Sequence, residues 1–108
     1  MSGLGAVVRI DKVPPIQGVL ELIGLGHLPG AVERNRAYIE QFVDFQDAGV
    51  ADARTLLFDP QTSGGLLVAC DAASLDAVLA VFGRHGFADA AVVGCITAGS
   101  GVARVRVV

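Results

Sequence analysis

The chain has 108 residues, 53% hydrophobic and 18% charged, which predicts a single globular domain with a real core and excludes a disordered chain. The formal net charge is −3 and the eight Lys and Arg are scattered, which argues against nucleic-acid binding through phosphate neutralisation. No apolar run approaches the roughly 20 residues of a membrane span, and the first residues lack the basic segment of a secretory signal, so we expect no membrane association.

The beginning of the chain predicts one strand followed by one helix. Residues 4–10 are short and β-branched, which is typical of a strand. Pro14-Pro15 then predicts the start of a helix, whose apolar stripe is formed by Ile16, Val19, Leu20 and Ile23. Gly24 and Gly26 can end that helix.

The middle of the chain is ambiguous. Residues 31–45 have helical composition without a clean apolar stripe, and their last five residues can equally form an edge strand. Residues 51–58 indicate a short helix with Asp52 in its first turn. Pro60 disfavours helical backbone at Asp59 and so closes this helix.

The last third carries the clearest pattern. Residues 66–70 predict a buried strand, and Ser74 is a candidate cap for a helix. The stripe of that helix consists of Leu75, Val78, Leu79 and Phe82, and Gly86 is its predicted left-handed stop. We expect strands at residues 91–97 and 102–108, joined by a hairpin loop at 98–101. In the second strand, Arg104 and Arg106 are expected on the solvent-exposed face.

The order of these elements predicts the fold class. Strand, helix, a mixed segment, strand, helix and two further strands indicate an α+β domain over residues 1–108. We therefore expect a mixed sheet of about four or more strands with helices packed on it.

Cys70 and Cys95 each stand inside an apolar run, which predicts buried and inert thiols rather than a redox pair or a disulfide. The two His and two Cys lack zinc-like spacing, so no metal site is predicted. His27 and His85 suit helix ends. A reducing cytoplasm is the expected compartment.

The sequence DPQTSGG at residues 59–65 joins two apolar runs and has two interpretations. It can be a structural corner that returns the chain to residue 66. Alternatively, the backbone at Gly64 and Gly65, with the hydroxyls of Thr62 and Ser63, can lie against an anion. The loop leads into a strand and not into a helix N-terminus, so we expect at most one wall of a site completed elsewhere. Arg34 and Arg36, which flank Asn35, are expected on a solvated surface rather than in an anion clamp.

These stretches resemble a known family. DPQTSGGLL, preceded by PIQGVLELIGLGHLPGAVERN and followed by AAVVGCIT, resembles the C-terminal domain of selenophosphate synthetase (selenide, water dikinase), which is related to aminoimidazole ribonucleotide synthetase. The resemblance runs from Gly3 to Val108. The family pattern has a second Gly and a Thr after Pro29-Gly30, whereas this chain has Ala31 and Val32.

The resemblance implies an ATP- and Mg²⁺-dependent enzyme that makes selenophosphate, AMP and phosphate from selenide, ATP and water. It places the reactive Cys or selenocysteine, its Lys and the carboxylates that hold Mg–ATP outside this chain. We therefore expect no catalytic residue and no metal ligand here, and no bound cofactor. Thr62, Ser63, Gly64 and Gly65 would line the nucleotide cleft. The implied partners are the N-terminal domain of the enzyme and a possible second copy of the full-length protein.

A second reading of the sequence stays open. The same fold can serve as a free-standing module that binds a small molecule or another protein. An N-terminal half encoded upstream and in frame would decide for the enzyme domain.

Overall fold

Four strands form one mixed sheet in the computed structural model, which describes residues 3–46, 49, 51–99 and 104–108. The strands are β1 (Leu4–Val8), β2 (Val43–Phe45), β3 (Gly94–Ala98) and β4 (Val105–Val107). Their order across the sheet is β2-β4-β1-β3. β1 pairs antiparallel with β3 and parallel with β4, and β4 pairs parallel with β2. The predicted α+β class is confirmed, and β2 is the edge strand that the pattern of residues 41–45 allowed.

The core lies on one face of this sheet. Val107 is directly opposite Val8 on one side and Phe45 on the other, so these side chains point to the same face. Val107 and Ile10 are buried together. The side chains packed against them are Val8, Val43, Phe45, Ala53, Leu57 and Val105. Arg106 is exposed, as its alternation with Val105 and Val107 predicted.

The helices are α1 (Val19–Gly24), α2 (Val32–Ile39), α3 (Ala51–Leu56) and α4 (Leu75–Arg84). α1 begins later than predicted, and Ile16 is 81% exposed rather than part of the stripe. The reason is local: Gly18 adopts a left-handed φ of 83° immediately before Val19, and this breaks any helix that starts at the prolines. Gly26 ends the helix region with a φ of 85°, while Gly24 remains helical.

α4 matches its sequence pattern closely. Its stripe is the half-buried side of the helix, whereas the remaining residues from Asp76 to Arg84 are exposed. Gly86 has a φ of 85°, and the amide of Phe87 donates to the carbonyl of Phe82 at 3.0 Å, the expected left-handed stop. Ser74 occupies the N-cap position, but its side chain makes no capping hydrogen bond.

The predicted hairpin between the last two strands is wrong. β3 and β4 are separated by β1, so the chain crosses over β1 instead of turning back on itself. A hairpin and a crossover have the same strand pattern, and only long-range pairing distinguishes them. Residues 100–103 of the predicted loop and second strand lie outside the described residues.

The predicted buried strand at residues 66–70 is also wrong. The segment belongs to no strand of the described sheet, and Leu66, Leu67 and Val68 are 82%, 86% and 50% exposed. The composition of this segment shows an apolar run, but it does not show which strand the run would pair with. In the sheet, β1 and β4 already have a hydrogen-bonded neighbour on each side. Cys70 and Cys95 are exposed free thiols, which overturns their predicted burial. Among the described residues, no helix has the length and apolarity to cross a membrane.

Candidate functional site

The candidate site is built where α2 meets the chain that leaves α3. The side-chain amide of Asn35 on α2 donates a hydrogen bond of 2.9 Å to the backbone carbonyl of Phe58, 23 residues further along the chain. Phe58 is the last residue before Asp59, where the DPQTSGG stretch begins. The PGAVERN stretch is therefore bonded to the residue that immediately precedes the DPQTSGG stretch.

Arg36 reinforces this junction from the same helix. Its Nη2 donates to Thr55 Oγ1 at 3.0 Å, and that hydroxyl donates in turn to the carbonyl of Ala51 at 2.9 Å. The guanidinium also lies 5.4 Å from the ring centroid of Phe58, within the range of a cation–π contact. Arg36 Nε is buried, and no hydrogen-bond acceptor among the described residues reaches it. The predicted solvated surface is correct for Arg34 and wrong for Arg36, which is half-buried.

Phe58 connects the junction to the core. Its side chain is only 6% exposed, and its ring centroid lies 5.8 Å from that of Phe45 on the edge strand β2. The same residue thus packs against the sheet through its ring and accepts the bond from Asn35 through its carbonyl. This arrangement fixes the point at which the loop leaves the folded body.

The loop formed by residues 59–65, hereafter the 59–65 loop, is held at its start and open at its end. The amide of Asp59 donates to the carbonyl of Leu56 at 3.1 Å, and the amide of Gln61 donates to the carbonyl of Asp59 at 3.0 Å. Asp59 and Pro60 are half-buried, while residues 61–65 are exposed. Thr62, Ser63, Gly64 and Gly65 therefore face the exterior of this chain together.

The two glycines of the loop do not serve a left-handed turn. Neither Gly64 nor Gly65 has a positive φ. A Cβ on Gly64 would come within 2.6 Å of Gln61 Oε1, the mobile end of a side chain, and a Cβ on Gly65 would meet nothing within 4 Å. The described chain thus gives no steric or conformational reason for glycine at position 65. A Cβ at position 65 would point into open space on the exposed side of the loop.

A shallow depression lies beside the start of the loop. Its lining combines the amide of Asn35 and the carboxylate of Asp59 with apolar and aromatic side chains; the full lining is Asn35, Tyr38, Ile39, Leu57, Phe58 and Asp59. Among the residues that the structure describes, no group of three His, Cys, Asp or Glu side chains is placed to hold a metal ion.

The other sequence candidates lie apart from this junction. His27 is exposed beyond the end of α1, where its backbone amide donates to the carbonyl of Leu22 at 2.9 Å. His85 is the C-cap residue of α4, as its position predicted. Sequence reasoning missed Asn35, because no local pattern shows that an amide on α2 meets a carbonyl after α3. The only available signal was its place within the PGAVERN stretch.

Comparison with known proteins identifies the family to which this chain belongs. The family model described as AIR synthase related protein, C-terminal domain, matches residues 1–106. A selenide, water dikinase of Burkholderia pseudomallei is 46% identical over 106 residues, which cover 98% of this chain and 29% of the relative. A selenide, water dikinase of Paraburkholderia xenovorans is 43% identical over 107 residues, covering 99% of this chain and 30% of the relative. The chain thus spans less than a third of the length of these relatives.

Proposed function

We propose, because the chain belongs to the family of AIR synthase related protein C-terminal domains, that it serves as the C-terminal domain of a selenide, water dikinase. The complete enzyme would convert selenide, ATP and water into selenophosphate, AMP and phosphate, with Mg²⁺. The match to relatives of that name over nearly the whole chain supports this proposal. In this proposal magnesium would be held by the remainder of the enzyme, as the resemblance to selenophosphate synthetase implies.

Within that enzyme, the 59–65 loop is proposed to form one wall of the nucleotide cleft. The observation that carries this role is the joint exposure of Thr62, Ser63, Gly64 and Gly65 on one loop, where neither glycine has a positive φ. A bare backbone lets N–H groups approach phosphate oxygens closely, and the hydroxyls of Thr62 and Ser63 add further donors. Because all of these groups are exposed on one loop, a second domain can close over them.

The proposed partner is the N-terminal domain of the same polypeptide. Leu66, Leu67 and Val68 follow the loop directly and expose an apolar surface that is unusual for a finished monomer. Docking of a second domain beside the loop would cover this surface. A homodimer of the full-length protein is also proposed. Nucleic acid is not a proposed partner, because a net charge of −3 with only eight scattered Lys and Arg does not favour neutralisation of a nucleic-acid backbone. A reducing cytoplasm suits its two exposed free thiols.

The chain by itself is expected to produce no AMP from ATP and selenide. Without a clamp of cations and metal, charge on a transferring phosphoryl group is not stabilised. Purified chain is incubated with ATP, Mg²⁺ and selenide, and AMP is measured beside a full-length selenide, water dikinase as positive control. Selenide-dependent AMP formation by the chain alone would contradict the assignment of catalysis to the rest of the enzyme.

Replacing Gly65 with valine is expected to lower kcat/KM for ATP by about 10- to 100-fold in a full-length enzyme that carries this C-terminal domain. The reason is steric: the side chain would occupy the space into which the nucleotide phosphates must come. The melting temperature should stay within about 2 °C, since no described atom lies near the added Cβ and φ is not positive.

Two hydroxyl deletions and a glycine control complete this test. Thr62→Ala and Ser63→Ala should each lower kcat/KM with little thermal shift, because each removes only a hydrogen-bonding group. Gly83→Ala, on an exposed position of α4, should leave turnover unchanged. Equal activity of the Gly65, Thr62 and Ser63 variants and the parent enzyme would reduce the loop to a structural corner.

A further inference from the structure

We propose that Asn35 is a positioning residue that anchors the 59–65 loop through the carbonyl of Phe58. The inference rests on the proposed function of that loop in the nucleotide cleft. Asn35 lies on α2, away from the loop in sequence, and makes no contact with residues 62–65, which are proposed to line the cleft. Asn35 would act on ATP binding only through the place and order that it gives to the loop.

The chemistry of the contact supports an anchor. α3 ends at Leu56, so the carbonyl of Phe58 lies beyond the hydrogen bonds of that helix and needs a donor from elsewhere. The Asn35 amide supplies this donor at 2.9 Å in a part-buried setting. A carbonyl left without a donor in such surroundings is costly, and the local backbone would turn to find water.

A second contact limits how the Phe58 residue can move. The Arg36 guanidinium lies over its ring at 5.4 Å and is held by Thr55 Oγ1 at 3.0 Å. The ring therefore cannot swing freely when the carbonyl is released. The backbone between Phe58 and the loop remains free to move, and the hydrogen bond from the Asn35 side chain to the Phe58 carbonyl is what restrains it.

Displacement at Phe58 is transmitted to the loop by the chain itself. Pro60 fixes its own φ two residues later, so fewer backbone rotations remain that could absorb a change at Phe58 before it reaches Gln61. Beyond Gln61, residues 62–65 are exposed, and none of the side-chain hydrogen bonds found among the described residues involves them. The contacts at the start of the loop therefore set the path that its backbone follows.

Amide hydrogen exchange of this chain, measured by NMR, tests the anchor. In Asn35→Ala, the amides of Phe58, Asp59 and Gln61, which donate to backbone carbonyls at 3.0–3.1 Å, should exchange about five-fold faster. Asn35→Asp should behave in the same way, because an ionised carboxylate keeps the shape but has no N–H to donate. Gln41→Ala is the matched control, since it removes a side-chain amide that donates locally to the carbonyl of Tyr38 at 3.0 Å. Its exchange at the loop should equal that of the parent chain.

Steady-state kinetics of a full-length enzyme carrying this domain provide the second readout. Asn35→Ala should raise KM for ATP about five-fold with kcat largely retained, whereas Gln41→Ala should change neither. A merely structural role would lower the amount of active enzyme, and therefore kcat, without raising KM.

The possible results separate the two proposals. Exchange that is unchanged in Asn35→Ala, or normal in Asn35→Asp, overturns the anchor. Suppose that Asn35→Ala exchanges faster but keeps its KM for ATP, and that Gly65→Val shows the expected loss of kcat/KM. This result overturns the positioning role of Asn35 and leaves the proposed role of the loop in the cleft intact. If Asn35→Ala exchanges faster and keeps its KM, but Gly65→Val is fully active, the anchor is retained and the proposed function of the loop is overturned.

Discussion

Replacing Phe58 with alanine is expected to lower the free energy of unfolding by about 3–5 kcal/mol. The Phe58 side chain is 6% exposed and packs between the ring of Phe45 and the guanidinium of Arg36. Truncation removes the burial of an aromatic ring and leaves a cavity that its neighbours can fill only in part. For a domain whose total stability is of the order of 5–15 kcal/mol, this loss is large.

Urea denaturation of the chain measures this effect, and Phe87→Ala is its control. Phe87 also contacts another ring, that of Phe82, at 6.2 Å between centroids, but it is 62% exposed. Its truncation should cost about 1 kcal/mol or less, because little buried area is lost. Similar costs for the two variants would show that Phe58 does not belong to the core.

Gly94→Ala is expected to destabilise the chain by about 3 kcal/mol, at the upper end of what overpacking costs. A Cβ at Gly94 would overlap the carbonyl oxygen of Val7 and lie 3.0–3.1 Å from the Val7 carbonyl carbon and Val8 Cα. All three are backbone atoms, so no change of rotamer relieves the clash. The strand that must shift is β1, which is paired on both sides.

The matched control for this substitution is Gly83→Ala in α4. Its added Cβ meets nothing within 4 Å, and the position has no positive φ. Since alanine is a better helix former than glycine, this variant should be more stable than the parent by up to about 1 kcal/mol. Thermal and urea unfolding of both variants give the comparison. A Gly94→Ala chain as stable as the Gly83→Ala chain would contradict the close approach of β1 and β3.

The exposed segment at residues 66–70 bears on how the chain behaves outside a complete enzyme. An apolar run without pairing partners in the described sheet is a site where chains associate nonspecifically. It directly follows the loop that we assign to the nucleotide cleft. The apolar surface and the proposed functional loop therefore lie on one continuous stretch, as expected if a single partner domain covers both.

Local features of the chain followed from the sequence alone. The stripe of α4 and its stop at Gly86 were predicted, because contacts at i, i+3 and i+4 and the need for a positive φ act within a few residues. The position of β1 was also predicted, since β-branched residues favour extended backbone, whereas an edge strand at residues 41–45 was one of two alternatives. The 59–65 loop was also recognised from local sequence, because proline restricts and glycine frees the backbone at its own position.

Tertiary structure decided which of these elements meet. The insertion of β1 between β3 and β4, the exposure of residues 66–70 and the bond from Asn35 to Phe58 all depend on partners distant in the sequence. Several pairings satisfy the same apolar pattern, and the choice among them is made by the combined packing of the whole domain, which no local window contains. The loop could thus be recognised from its residues, but its anchor on α2 could be found only in the folded chain.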